Sequence, residues 1–271
     1  MTQSLDGSSE NMIIRNFGAA APQRGIPVTL RPVHHYVLAC LAFSLASVAN
    51  ATTLNTVLDF EGFLPGQIID DEYAASPPPG SNVAAVNLSG GPDVAIIFDT
   101  GAPTGGDLDL AAPFTSANPN FPDPYDPGNV LIIQETNNCD LNTGFCTIPD
   151  DEGSSPAGEI EFVFASPITL LSIDFFDIEF NEDNNDPDSE IHLFNESNVE
   201  IMAGMFFVPN TGGDNMWDQL NFGAVSGVSR LVIELNGSGA IDNVTYVPVP
   251  PAVWLFGSAL GLLGWIRRRT T

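Results

Sequence analysis

The sequence predicts an all-β chain. Residues 52–247 read as an antiparallel β-sandwich of jelly-roll type, set between an N-terminal signal helix (1–51) and a short C-terminal transmembrane helix within 248–271. Three observations carry this. Apolar runs between Thr52 and Val247 are short and are cut by Gly, Pro, Asn and Asp. Several runs alternate: Ile160, Phe162 and Phe164 fall on one side with Glu159 and Glu161 on the other, and Leu231, Ile233 and Leu235 oppose Arg230 and Glu234. No internal stretch keeps a helical period between caps, and no repeat of about 20–50 residues recurs. A hydrophobic content of 44% is enough to build a core.

The first element is an address. Tyr36–Val48 is an apolar run of signal-peptide length, preceded by Arg15, Arg24 and Arg31. Ala49-Asn50-Ala51 gives the small-x-small pattern cut by signal peptidase, which places the mature start at Thr52. The leader is long for a signal, and Met12 is an alternative start. Export sorts the cysteines. Cys40 leaves with the signal, and Cys139 and Cys146 remain as an even pair in an oxidising compartment. "CDLNTGFC" can turn at Asn142-Thr143-Gly144, so a Cys139–Cys146 disulfide is expected.

The strands expected next are Thr56–Phe60, Val83–Leu88, Val94–Asp99, Asn129–Gln134, Glu159–Phe164, Leu170–Ile178, Glu190–Asn195, Glu200–Phe207, Trp217–Phe222, Val228–Leu235 and Ala240–Tyr246. "ASPPPGSN" and "TSANPNFPDPYDPGN" are too rich in proline to pair centrally and read as loops. Phe121 and Tyr125 in the second loop either offer a sugar platform or, the favoured reading, tuck under the sandwich.

Charge limits function. Of 34 acidic residues, only Asp6 and Glu10 precede Thr52 and none follows Asp242, while Arg230 is the one basic residue between Thr52 and Val247. Such a body repels nucleic acid and anionic lipid. Hard divalent cations, calcium above all, are the fitting counter-charge. Catalytic signatures are missing: there is no GxSxG, HExxH or phosphate loop. His192 is the single histidine of the body and reads as structural. A glycosidase needs only two carboxylates, which keeps a hydrolase open, but no pair stands out.

Two groups of oxygen ligands do. "LDFEG" opens the body and "GAIDNVTY" closes it. First and last strands of jelly rolls commonly lie side by side, which would gather Asp59, Glu61, Asp242 and Asn243. The bland alternative is an alternating strand whose acids face water. The pairing resembles the MAM-type and galactose-binding-like sandwiches, and that resemblance implies a shared metal-binding corner. "FDTGAPTGGDLDL" is the second group, with Asp99, Asp107 and Asp109 around a glycine-rich turn. The acidic run Glu182–Glu190 lacks the glycine of a calcium loop and reads as a solvated hairpin loop.

The chain ends "VPVPPAVWLFGSALGLLGWIRRRTT". Ala252–Ile266 would cover about 22 Å as a helix, short of the roughly 30 Å hydrocarbon core. Arg267, Arg268 and Arg269 would stay cytoplasmic. A proline motif (Pro248, Pro250, Pro251), an apolar helix with Trp254 and Gly257, and a basic end together resemble the PEP-CTERM sorting signal of Gram-negative bacteria, in its VPLPA-type variant. The namesake glutamate is absent, and Val249 stands between Pro248 and Pro250. The resemblance implies transient inner-membrane anchoring, recognition by an exosortase, and release or surface attachment alongside exopolysaccharide and biofilm production. Two functions are therefore expected in order: a non-catalytic, calcium-stabilised surface or matrix protein that binds exopolysaccharide, then a secreted polysaccharide- or ester-hydrolysing enzyme.

Overall fold

The computed structural model describes residues 54–151, 155–179 and 189–248. The expected signal, with Ala49 and Ala51, and the tail from Val249 on lie outside these residues, as does most of the acidic run before Glu190. The described chain is all-β and antiparallel, with eleven strands: β1 (Thr56–Leu58), β2 (Ser81–Asn87), β3 (Ala95–Asp99), β4 (Asn129–Ile133), β5 (Cys139–Asp140), β6 (Phe145–Cys146), β7 (Gly158–Phe176), β8 (Ile191–Phe194), β9 (Glu200–Ile201), β10 (Trp217–Leu235) and β11 (Ala240–Pro248). No described helix is long and apolar enough to cross a membrane.

Two long strands organise the molecule. The runs expected as Glu159–Phe164 and Leu170–Ile178 are one strand, β7. Those expected as Trp217–Phe222 and Val228–Leu235 are one strand, β10. The two pair along their whole length, with register shifts between Asn221 and Val225, Ser226 and Val228, and Val228 and Arg230. Bulges of this kind bend a strand and increase its twist. Gly223, Ala224 and Gly227 supply the backbone for the bend, all with positive φ. Pro167 falls in the gap between the registers, where its missing N–H costs no ladder bond.

The bend divides the sheet into two halves. In one, the early part of β7 pairs with β2, and the late part of β10 pairs with β8, which carries β9. In the other, the late part of β7 pairs with β11, followed by β4 and β3, and β1 pairs with β11 (Thr56↔Tyr246, Leu58↔Val244). Phe162, Leu193, Leu231 and Ile233 from the first half share one buried cluster with Ile97, Leu131, Phe175, Ile241 and Val244 from the second. The arrangement fits a β-sandwich.

The second half is covered on its outer side too. Ile96, Phe98, Val130, Ile132, Phe176 and Ala240 face a second cluster with Leu110, Phe114 and Trp217. That is why β3 and β4 read as continuous apolar runs and do not alternate. The proline-rich loop provides the cover: Phe121 stacks on Trp217 with centroids 5.0 Å apart, and Tyr125 lies 4.5 Å from the same ring. These aromatics thus take the tucked-under alternative. The β5–β6 hairpin sits beside them, and Cys139 and Cys146, directly opposite in register, form the expected disulfide. Glu200–Phe207 is strand only at Glu200–Ile201. Met202 has φ 55°, and this left-handed turn ends the pairing.

Candidate functional site

The β1–β11 pairing brings the two ends of the domain together and builds a corner of oxygen ligands. Leu58 opposes Val244, so the chain leaving β1 runs through Asp59 and Glu61 past Asn243 and Asp242. On the other side of β11, Asp242 opposes Asp174 of β7. Phe60 and Asn243 both have positive φ, 54° and 51°, in a region where asparagine is at home and phenylalanine is strained. Phe60 is held there: its ring is fully buried and its N–H donates to the Tyr73 hydroxyl at 3.2 Å.

Asp242 is the centre. It is 1% exposed, and its Oδ1 has no hydrogen-bond partner. Its Oδ2 accepts from Asn243 Nδ2 at 2.9 Å. The same amide reaches Asp174 Oδ2 (2.9 Å) and the Tyr125 hydroxyl (3.0 Å). Gln219 Nε2 donates to Asp174 Oδ1 at 2.7 Å. Glu61 is fixed separately, its Oε1 accepting from the Asn129 N–H at 2.8 Å. The Asn129 side chain in turn donates to the carbonyls of Phe60 and Phe63. Glu61 lies against Gly128, where a Cβ would collide with the carboxylate.

The electrostatics follow from burial among like charges. Desolvation, with Asp174, Glu61 and Asp59 adding repulsion, pushes the Asp242 carboxyl up to about 9. Burial likewise raises Asp174. Burial, then the charges of Asp242 and Asp174, pushes Tyr125 up to about 12. Taking a carboxylate out of water without a partner costs several kcal/mol. Carboxylate and amide oxygens are the kind of donor that a hard cation such as calcium binds. Asp59, Glu61, Asp242 and Asn243 all lie in this corner. Asp174, Tyr125, Asn129 and Gln219 also belong to it and were missed, since only the fold brings them there.

The second expected group divides. Asp99 Oδ1 accepts from the Gly101 N–H at 2.9 Å and closes its own turn. Asp107 and Asp109 join acids from elsewhere: the charges bearing most on Asp107 are those of Asp150 and Asp109. One described set of three carboxylates, Asp70, Asp71 and Glu72, has oxygens all within 4.8 Å of one another, and all three residues are exposed. Exposed acids need no cation. Of the sorting residues, Pro248 is the last of β11. Pro250, Pro251, Trp254, Gly257 and Arg267–Arg269 lie outside the described residues.

No family model and no curated protein matches the chain. Among solved structures it matches wild-type discoidin II from Dictyostelium discoideum at 12% identity, over 44% of this chain and 49% of that one, with a TM-score of 0.28. The chain thus spans about half the length of that protein.

Proposed function

We propose that this is an exported, exosortase-processed surface or extracellular-matrix protein. It is non-catalytic, stabilised by calcium at the Asp242 corner, and binds the exopolysaccharide it travels with. The observation that carries the calcium reading is Asp242 itself, buried with one oxygen unpartnered and with Asp174, Glu61 and Asp59 as its electrostatic neighbours. Asp242 and Glu61 would hold the cation. The cation would supply charge neutralisation and a tie between the two ends of the domain. Asn243 orients the corner: its two amide hydrogens are shared among three oxygens within 3.0 Å, those of Tyr125, Asp174 and Asp242. The binding role rests on the sorting-signal resemblance and on a body without a visible nucleophile–base set.

The test has two arms. At matched ionic strength, which removes general screening, calcium at a hundredfold excess over Kd stabilises the protein by about 2.7 kcal/mol. Asp242→Asn and Glu61→Gln each shrink that gain. Equal melting curves with calcium and with chelator would sink the calcium reading. In the second arm, protein incubated with the host's exopolysaccharide is retained on it without releasing new reducing ends. Release of reducing ends means that the hydrolase reading wins.

A further inference from the structure

We propose that Asp107 and Asp151 form the core of a second divalent-cation site, taking calcium, at the edge of the loop layer and independent of the Asp242 corner. Three stretches of chain far apart in sequence meet there: the glycine-rich turn before Asp109, the segment after the disulfide hairpin, and the turn leading into β11. Asp107 is fully buried. Its Oδ2 accepts from the Asp151 N–H at 3.1 Å, and its Oδ1 has no hydrogen-bond partner. Asp151 is 3% exposed, and its Oδ2 accepts from the Gly239 N–H at 3.1 Å. The neighbouring Asp150 also buries an oxygen, Oδ1, without a partner. Asp109 and Asp177 are close enough to act on Asp151.

The backbone is shaped around these acids. Gly105 has φ +74°, and a Cβ there would meet the Asp150 carboxylate and the Pro149 carbonyl at 2.9 Å. The Thr104 hydroxyl donates to that same carbonyl at 2.8 Å. The turn is thus held against 149–151 by contacts that leave the unpartnered oxygens of Asp107 and Asp150 unused.

Counter-charge is the missing component. The two basic side chains among the described residues are committed elsewhere: Arg230 to Glu161 and Asn198 and over the Phe194 ring, and His192 to Glu200 and Glu234. A proton shared between Asp107 and Asp151 would satisfy that pair alone. It would leave Asp150 Oδ1 unpartnered and the remaining acids in mutual repulsion. A divalent cation held by Asp107 and Asp151 would neutralise that pair and relieve the repulsion from the acids around it, with backbone carbonyls and water completing the oxygen set that calcium takes. Such a site would tie the loop layer that covers Phe114, Phe176 and Trp217 to the sheet.

The experiment is calorimetric titration of the exported protein with calcium chloride at neutral pH, comparing wild type with Asp107→Asn, Asp151→Asn and Asp242→Asn. The expected result is a binding event that weakens by more than about tenfold in Asp107→Asn and in Asp151→Asn and persists in Asp242→Asn. If the corner also binds, wild type takes two equivalents, Asp107→Asn and Asp151→Asn lose the same one, and Asp242→Asn loses the other. If the corner reading fails, wild type takes one equivalent and Asp242→Asn keeps it. Calcium binding undiminished in both Asp107→Asn and Asp151→Asn overturns the proposal and leaves a shared proton as the account of the pair. Hydrogen exchange on unmodified protein covers the case of a variant that does not fold. Calcium should slow exchange in peptides spanning 104–109 and 149–151, and unchanged exchange there also overturns the site.

Discussion

His192 shows how a residue legible as structural acquires a measurable role. Its Nδ1 lies 2.7 Å from Glu200 Oε1 on β9, and its Nε2 lies 3.3 Å from Glu234 Oε1 on β10 and 3.8 Å from Glu190 Oε2. Burial alone would lower its pKa. The Glu200 hydrogen bond and the charges of Glu234, Glu200 and Glu190 outweigh that and raise it. A raised folded pKa gives stability that is fully present below the unfolded value of about 6.5 and is lost as pH climbs through the folded one. Melting temperature should therefore fall between about pH 6 and pH 8. Asp107 and Asp242 titrate upward with the same sign, so the wild-type curve alone does not isolate the histidine. His192→Gln does: its curve should fall less steeply over that range, and parallel curves would remove His192 from the pH response. The imidazolium and Arg230 together place the described positive charge on one sheet face, the face that carries Glu161, Glu200 and Glu234.

At the scale of elements, most of the fold is written locally. Runs such as Ser81–Asn87 alternate, and the structure buries Val83 and Ala85 while exposing Ala84 and Val86. The two mergers were not legible, because the signals that suggest strand ends, Pro167 in one case and Gly223 with Gly227 in the other, mark bends inside continuous strands. Proline and glycine punctuate backbone conformation, and only long-range pairing decides whether a strand stops there or turns a corner. The bend gives a clean test. Gly227 has φ +86°, and an added Cβ would meet nothing within 4 Å. Gly227→Ala thus changes backbone strain without changing packing. The left-handed region costs a non-glycine residue roughly 1–2 kcal/mol, so urea denaturation should show a loss of about 1 kcal/mol with an unchanged slope. A neutral substitution would mean that the bend does not hold this residue in the left-handed region. Ala224, already at φ 66°, carries the opposite expectation, since glycine there relieves strain.

At the scale of the molecule, the candidate site was legible where topology follows a common rule and illegible where it depends on chance encounters of loops. Adjacency of the first and last strands was enough to gather Asp59, Glu61, Asp242 and Asn243. Nothing in "TIPDDEG" announces that Asp151 will meet Asp107, because the meeting depends on where a disulfide hairpin lands. The same β1–β11 pairing bears on the proposed export. Thr56 opposes Tyr246, so the two ends of the domain depart together. Asp242 lies six residues back from Pro248, roughly 20 Å along the strand. A cut beyond Pro248 would therefore remove nothing that β11 uses, and the carboxylate corner sits away from the C-terminal end of β11. The expected mature species begins near Thr52, keeps β11 whole and lacks the Trp254–Arg269 peptide. Mass spectrometry of protein recovered from the medium or cell surface of an exosortase-competent host checks this directly. Recovery of a tail peptide containing Trp254 and Arg267 in that fraction would mean that the apolar end is a permanent anchor, and the sorting reading would be abandoned while the fold and both carboxylate clusters stood as described.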